Sequence, residues 1–303
     1  MSGVITTGSF AKALFPGVKS WYGKAYDEYP VEWDKLFEKH TSNRAFEEDV
    51  GTSSFGLAVV KPEGDAITYD SERQGFTTRY THVVYALGFV VTREAFDDDL
   101  YDVVGSRKAQ GLAFSMRQTK EIIGANVYNN AFTGGPTGGD GVSLLNSAHP
   151  NVAGGTWSNI LATASDLSEA ALEQACIDIA GLENDRGLLI AVRPTDLIIP
   201  RQLMFEVHRV LKSNGRVGTE LNDPNALKDL GLFKNVVVNH YLTDSDAWFI
   251  RTNVPHGMKH FERRKDSFDM DNDWDTENAK FKGTMRFSFG WTDPRGLFGS
   301  PGA

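Results

Sequence analysis

Arg286-Phe287-Ser288-Phe289-Gly290-Trp291-Thr292-Asp293-Pro294-Arg295-Gly296-Leu297-Phe298-Gly299-Ser300 is the stretch on which the reading of this chain turns. It closes the second of two long extended runs, His260 to Met270 and Ala279 to Trp291, which the acidic stretch Asp269 to Glu277 separates. It is read together with Leu144-Leu145-Asn146-Ser147-Ala148-His149-Pro150, far upstream.

Between those two segments the pattern alternates. Asp166 or Ser168 starts a helix reaching about Asn184, Leu188 to Pro200 reads as a buried strand, and Gln202 to Leu211 as a helix. Val236 to Tyr241 and Ala247 to Thr252 read as strands. Such alternation predicts a compact α/β layer beginning near Asp166. Upstream of Leu144 lies a Gly-rich loop, Thr133 to Gly141, and before it apolar residues recur with mostly helical spacing at Phe96, Leu100, Val103, Val104, Leu112, Met116, Ile123 and Val127. Thr92 can cap this helix, and Glu94, Asp97, Asp98 and Asp99 place negative charge at the positive end of its dipole. Gly134-Gly135-Pro136 stops it. At about 1.5 Å per residue, some 40 residues extend on the order of 60 Å, unless Gly105, Gly111 or Gly124 interrupts.

Leu57 to Val91 is extended. Lys61-Pro62-Glu63-Gly64-Asp65 favours a turn, so the segment predicts a long hairpin. Its middle carries Lys61, Glu63, Asp65, Asp70, Glu72 and Arg73 and few large apolar residues, so it is expected to project from the core toward a partner surface, since a lone hairpin is marginally stable in water. Residues 1 to 50 read as an arm. Pro16, Gly17, Gly23 and Pro30 punctuate a segment rich in Trp21, Tyr22, Tyr26, Tyr29 and Trp33, and those aromatics can be buried against another domain, another subunit or the chain itself.

Composition bounds the rest. With 303 residues, 41% of them apolar, the chain can bury a sizeable core without disulfides or metals, and 30 glycines with 11% aromatics favour turns and strands. One cysteine, Cys176, forms no internal disulfide and falls within a helical pattern, so a reducing compartment and a small buried hydrophobe are expected. Met1 to Phe15 shows no charged leader with an apolar run, and no stretch approaches ~20 apolar residues, so neither export by that route nor a membrane span is expected. A net charge of −9 disfavours a general electrostatic grip on nucleic acid.

No motif points to catalysis, and no cofactor is expected. The acids of Asp269 to Glu277 fail the calcium-loop pattern, since Trp274 and Lys280 stand where glycine and glutamate belong. The Gly134 to Gly141 loop has no Gly-Lys-Ser/Thr ending, and Gly215 begins no dinucleotide fingerprint. His149 lacks a serine elbow or a second metal ligand. Arg263-Arg264-Lys265 is either a solvated strand edge or a salt-bridge donor to an acidic loop of a neighbouring subunit.

The tail, Leu144 to Pro150, Thr92-Arg93-Glu94 with its acidic followers, and Leu197-Ile198-Ile199-Pro200 before a helix resemble segments of tailed-bacteriophage major capsid proteins of the HK97-like fold, in a branch similar to the Mu-type head subunit. The resemblance implies an α+β capsid fold with an N-terminal arm (1–50), an extended hairpin loop (51–91), a peripheral domain on a spine helix (92–165), an axial domain (166–259) and terminal strands (260–303). It implies a structural, non-enzymatic subunit that self-assembles into pentamers and hexamers of an icosahedral head around double-stranded DNA. That head would form in the bacterial cytoplasm, with portal, scaffold and decoration proteins as further partners. Inter-subunit contacts are then expected from Trp21, Tyr22, Trp33, Lys61, Glu63, Asp70, Glu72, Arg73, Arg263, Arg264 and Lys265. No partner motif for Lys61 is visible, so no covalent cross-link is expected, and the absence of a charged helical prefix implies a separate scaffold. Two alternatives are an encapsulin-like compartment shell and a soluble β-rich hydrolase, whose turnover would depend on a residue such as His149.

Overall fold

The computed structural model describes residues 11–92, 94–95, 105–132, 134–215, 224–273 and 278–303. Two four-stranded sheets organise them. The first is built from β1 (Glu38–Thr41), β4 (Val83–Val91), β10 (Met258–Asn272) and β11 (Ala279–Trp291) in the order β1-β10-β11-β4. β10 and β11 form a long antiparallel ladder from Met258↔Trp291 to Asn272↔Ala279, with a bulge between Glu262 and Ser267, and β4 continues it antiparallel on the far side of β11. The two extended runs read from the sequence are these strands. β1 joins in parallel and was not foreseen, because four residues with the pattern Glu-Lys-His-Thr carry no periodicity of their own.

The second sheet has the order β12-β9-β7-β8, from β7 (Pro194–Pro200), β8 (Asn235–Asn239), β9 (Trp248–Thr252) and β12 (Leu297–Ser300). β7 is central: Leu197 and Ile199 face one core while Ile198 faces another, which explains its uninterrupted apolar run. The strand is shorter than expected. Glu183 to Ala191 forms a loop instead, closed by Asn184 backbone contacts to Gly187 and Leu188 and by Asn184 Oδ1 accepting from Arg186 N and Leu188 N. Helices α3 (Glu169–Ala180) and α4 (Met204–Lys212), with the short α5 (Ala226–Leu230), cover the Leu197 face. α3 starts where a cap was expected, with Ser168 Oγ accepting from Ala171 N at 3.2 Å, but it ends before Asn184.

The spine is α2 (Ser106–Asn129), 24 residues, about 36 Å at 1.5 Å each. Gly111 and Gly124 pass through it unbroken; a Cβ on Gly124 would meet the Trp33 side chain at 3.2 Å, so here glycine allows close packing. The expected start at Thr92 is marked by Thr92 Oγ1 accepting from Ala95 N at 3.4 Å, while the stretch that would link it to α2 lies mostly outside the described residues.

The leader departs from expectation. α1 (Ala11–Glu28) runs helically through Pro16, Gly17 and Gly23 and lies along α2. Tertiary burial overrides weak propensity: Val18, Tyr22 and Ala25 enter a core with Ala109, Leu112, Ala113, Met116, Phe268, Phe281 and Phe287. Tyr22 stacks on Phe268 at 4.6 Å and donates its hydroxyl to Asp266 Oδ2 at 2.8 Å; burial raises both the phenol and the carboxyl above their usual ranges. Trp33 is pinned from both sides, its backbone N donating to Glu121 Oε2 at 2.8 Å and its ring lying 4.3 Å from Lys120 Nζ, which donates to Glu262 Oε1 at 3.0 Å.

Asn159, fully buried, joins the two segments that opened the sequence reading. Its Nδ2 donates to Leu144 O at 2.8 Å, Pro294 O at 3.1 Å and Leu297 O at 3.2 Å, and its Oδ1 accepts from Asn146 N at 2.9 Å. Asp293-Pro294-Arg295-Gly296 thereby carries the chain from the first sheet, where β11 ends, into the second, where β12 pairs with β9.

Candidate functional site

The feature that is not satisfied internally is a ribbon. β2 (Phe46–Thr52) and β3 (Gln74–Thr81) pair antiparallel, from Phe46↔Thr81 to Thr52↔Gln74, so the hairpin's paired limbs begin earlier than the expected residue 51. Its stem is tightly fixed. Tyr80 is buried against Phe261 at 4.8 Å, its hydroxyl lies 2.7 Å from Thr292 Oγ1, and Gly290 leaves the room the ring needs, since a Cβ there would sit 2.9 Å from it. Asp49 accepts from Thr292 Oγ1 at 2.8 Å and from the buried Lys259 ammonium; burial alone would raise its carboxyl, but these hydrogen bonds outweigh that and hold it below the usual range. At the junction of β3 and β4, buried His82 sits between Ser288 Oγ at 3.0 Å and Ser42 Oγ at 3.1 Å, and burial together with nearby Arg286 lowers its pKa.

Beyond the stem the contacts thin out. Arg186, from the loop after α3, forks onto the ribbon's base: Nε donates to Ser54 O at 3.1 Å, and Nη2 to Ser71 O at 2.6 Å and Asp70 Oδ1 at 3.3 Å. Asp70 also accepts from Gly56 N and Ser71 N, and these backbone bonds, helped by Arg186, hold its carboxyl low. Past this point the ribbon stands in solvent, Leu57 79% exposed and Val60 and Tyr69 each 90%, with Phe55, Val59 and Ile67 also exposed. At its tip Asp65 N donates to Pro62 O at 3.3 Å across Gly64, whose φ of +88° is one that glycine tolerates.

The residues singled out from sequence thus separate. Lys61, Glu63, Asp70, Glu72 and Arg73 are exposed on the ribbon, and Arg264 and Lys265 are exposed at the β10 bulge beside half-buried Arg263. Tyr22 and Trp33 are both buried in the chain's own core, and Trp21 packs half-buried beside Tyr22's cluster, because α1 and the turn at Trp33 find their apolar partner in the spine. His149 is fully buried, its Nδ1 2.6 Å from Asp140 Oδ2, its Nε2 3.1 Å from Asn159 Oδ1 and its ring stacked on Trp157 at 4.5 Å, a structural histidine. A cavity of about 380 Å³ lies between the ribbon stem and these loops, and its carboxylates are engaged by the fold: Asp49 with Lys259, Asp140 with His149, and Asp185 and Asp293 with Arg295. Cys176 is half-buried, and burial pushes its thiol up to about 11. Among the described residues no cluster of His, Cys, Asp and Glu could hold a metal, and no helix is long and apolar enough to cross a membrane. Part of the acidic stretch, residues 274–277, and part of the Asn214 to Gly218 loop lie outside the described residues. Arg186, Asp49 and Lys259 were invisible in the sequence, since each is an ordinary charged residue whose partner is distant in the chain.

A spine helix under a long antiparallel sheet, a second sheet carrying its own helices, and a ribbon projecting from the first define the HK97-like class of shell subunits. A family model described as phage capsid protein matches residues 75–299, and the chain belongs to that family. It is a structural protein of the virion; the match does not single out the Mu-type branch. No curated protein sequence matches. Among solved structures, the chain is similar to the virus-like particle from Pyrococcus furiosus (12% identity, 94% of this chain and 98% of that one, TM-score 0.54). It is also similar to a Mycobacterium phage Patience chain (10%, 99% and 89%, 0.53) and to the capsid of Myoviridae phage XM1 (9%, 91% and 93%, 0.51). At these identities the likeness is one of fold.

Proposed function

We propose that the chain self-assembles into the pentamers and hexamers of an icosahedral phage head that encloses double-stranded DNA without sequence-specific contacts. The observation that carries this reading is the ribbon: a capsid-family subunit holds residues 54–73 exposed and outside every ladder, with large apolar side chains in water, on a stem anchored by Tyr80, Asp49 and Lys259. Exposed apolar surface of that kind marks a contact with another molecule. In this reading the ribbon, with Lys61, Glu63, Glu72 and Arg73, lies over an adjacent copy, Arg264 and Lys265 face that neighbour's acids, and residues 166–259 gather around the five-fold and six-fold axes. Head assembly takes place in the host cytoplasm, with portal, scaffold and decoration proteins as separate chains. The net charge of −9 supports an inner wall from which packed DNA slides.

Electron microscopy of the purified chain tests this: closed shells, tubes or capsomer rings are expected, and a uniformly monomeric preparation across salt conditions refutes it. A second reading, a compartment shell that stores a protein, is supported by the similarity to the Pyrococcus furiosus particle, whose TM-score of 0.54 stands beside 0.53 and 0.51 for the phage chains. The content of particles isolated from the native host decides between them, nuclease-protected DNA for the head and a single enriched protein for the compartment.

A further inference from the structure

The two four-stranded sheets have four edges between them, and three of these are short or covered. β1 is four residues and charged, β8 is five, and β12 is fully buried. β4 differs: Val83-Val84-Tyr85-Ala86-Leu87-Gly88-Phe89-Val90-Val91 is nine residues without a charge or a proline, paired on one side by β11. Tyr85 stacks on Phe287 and Phe89 on Phe281, so one face of the strand reaches the spine core, while Val84 and Val90 on the other face and Leu87 (50% exposed) stay in contact with water. Among the described residues no strand flanks its open side, and the one polar side chain reaching it near that end is Lys108, whose Nζ donates to Val90 O at 3.3 Å. Proteins guard such edges with charge, proline or a covering element, because an open row of N–H and C=O groups templates pairing.

The same chain holds a segment with the complementary need. Ser54-Phe55-Gly56-Leu57-Ala58-Val59-Val60 is also free of charge and proline, exposed throughout and outside every ladder. It is the limb of the ribbon that carries no charged residue; the returning limb holds Asp65, Asp70, Glu72 and Arg73. A charged strand would lose hydration beside β4, whereas residues 54–60 would bury apolar side chains and satisfy β4's open backbone groups together with those of the limb that Asp70 (at Gly56 N) and Arg186 (at Ser54 O) do not already engage. In its own chain neither segment covers the other: residues 54–60 and most of β4 are exposed, and no ladder joins them.

We infer that residues 54–60 of a second copy pair with the open edge of β4 and add a fifth strand to the sheet β1-β10-β11-β4. The inference rests on the reading that the ribbon lies over an adjacent copy, and it names where and by which groups the ribbon is held: main-chain hydrogen bonds fix it, and alternate apolar side chains set its register.

Amide hydrogen exchange of the full-length chain, compared between assembled particles and unassembled subunits, tests it. Peptides spanning 54–60 and 83–91 are expected to slow together on assembly, by about tenfold or more, with roughly half of the β4 amides newly protected because the others already bond to β11. Protection of 54–60 without β4 overturns the inference and leaves the ribbon reading standing. Protection of β4 alone means that another segment occupies the edge and also overturns it. Protection of neither removes both. Leu87→Lys, a charge placed on the exposed edge, is expected to abolish protection of both peptides while the subunit's melting profile is retained; normal particles with normal protection in this variant would overturn the inference.

Discussion

His260 offers a quantitative test of how the spine is seated on its sheet. The imidazole is 1% exposed, neither ring nitrogen has a hydrogen-bond partner among the described residues, and it lies among Trp33 at 4.3 Å, Phe289 at 4.6 Å and Phe287 at 5.9 Å. Burial, helped by the nearby Lys120 charge, lowers its pKa from 6.5 to about 3. In the unfolded chain the ring protonates near 6.5, so between that value and 3 the unfolded state binds the extra proton. The stability this site contributes is therefore complete above 6.5 and is lost as pH falls below it. At pH 5, 1.5 units below, the loss is about 2 kcal/mol at ~1.4 kcal/mol per unit. His260→Leu has a similar volume and no titration. At pH 7.5 the variant is expected to match or exceed the native chain by up to ~2 kcal/mol, because unpaired buried polar atoms are removed at the cost of a ring contact. Between pH 7.5 and 5.0 the native chain should then lose about 2 kcal/mol more than the variant. Urea denaturation of unassembled subunits at both pH values, followed by tryptophan fluorescence, measures both quantities, and carboxylate effects common to the two proteins cancel in the difference. Parallel losses in the two would refute the placement of His260 in a dry aromatic cage.

Asn159→Ala leaves the carbonyls of Leu144, Pro294 and Leu297 and the N–H of Asn146 without their partner, so a loss of about 3 to 5 kcal/mol is expected in chemical denaturation. Gly290→Ala pushes a Cβ into the Tyr80 ring and should cost about 1 to 3 kcal/mol, with partial rescue by Tyr80→Leu in the double variant. Arg186→Ala removes an exposed fork, so global stability should change by less than about 1 kcal/mol, while protease cleavage within residues 54–73 accelerates and the yield of assembled particles falls.

Legibility in the sequence followed the range of the interactions. β10 and β11 were readable because long extended runs need only local pattern, and α3 because Ser168 announces its own start. α1 was not, since Pro16, Gly17 and Gly23 argue locally against a helix that the spine stabilises from outside. β12 was hidden because its four residues become a strand only when the turn at Pro294 delivers them to β9. The aromatic leader could be read as needing burial, but nothing local says that Tyr22 and Trp33 find it within the chain. The ribbon's projection was readable from its charges, yet Arg186, which sets its base from another part of the fold, leaves no local trace.

The burial of the leader narrows what remains unfinished in this subunit. With Tyr22 and Trp33 engaged internally, the exposed apolar surface includes the ribbon beyond Arg186 and β4, beside Ile177, Leu189, Phe205 and Leu230 on the helices and loops of the second sheet. Holding a ribbon residue in one backbone conformation costs about 1 to 2 kcal/mol, and each large apolar side chain left in water forgoes roughly 1.5 to 3 kcal/mol, so the ribbon as an isolated element is a net loss. Its donor limb and the proposed acceptor edge are different surfaces on one chain. A contact between unlike surfaces is head-to-tail, so each copy gives a strand to one neighbour and receives one from another. Such contacts do not stop at a two-fold pair; they close into rings when the rotation per copy permits. If β4 were instead to pair with β4 of a second copy, the contact would be isologous and would end at a dimer. Analytical ultracentrifugation of subunits at rising concentration separates the two: rings forming without a dominant dimer are expected, and a stable dimer that protects 83–91 but not 54–60 would show that the edge is used in the other way.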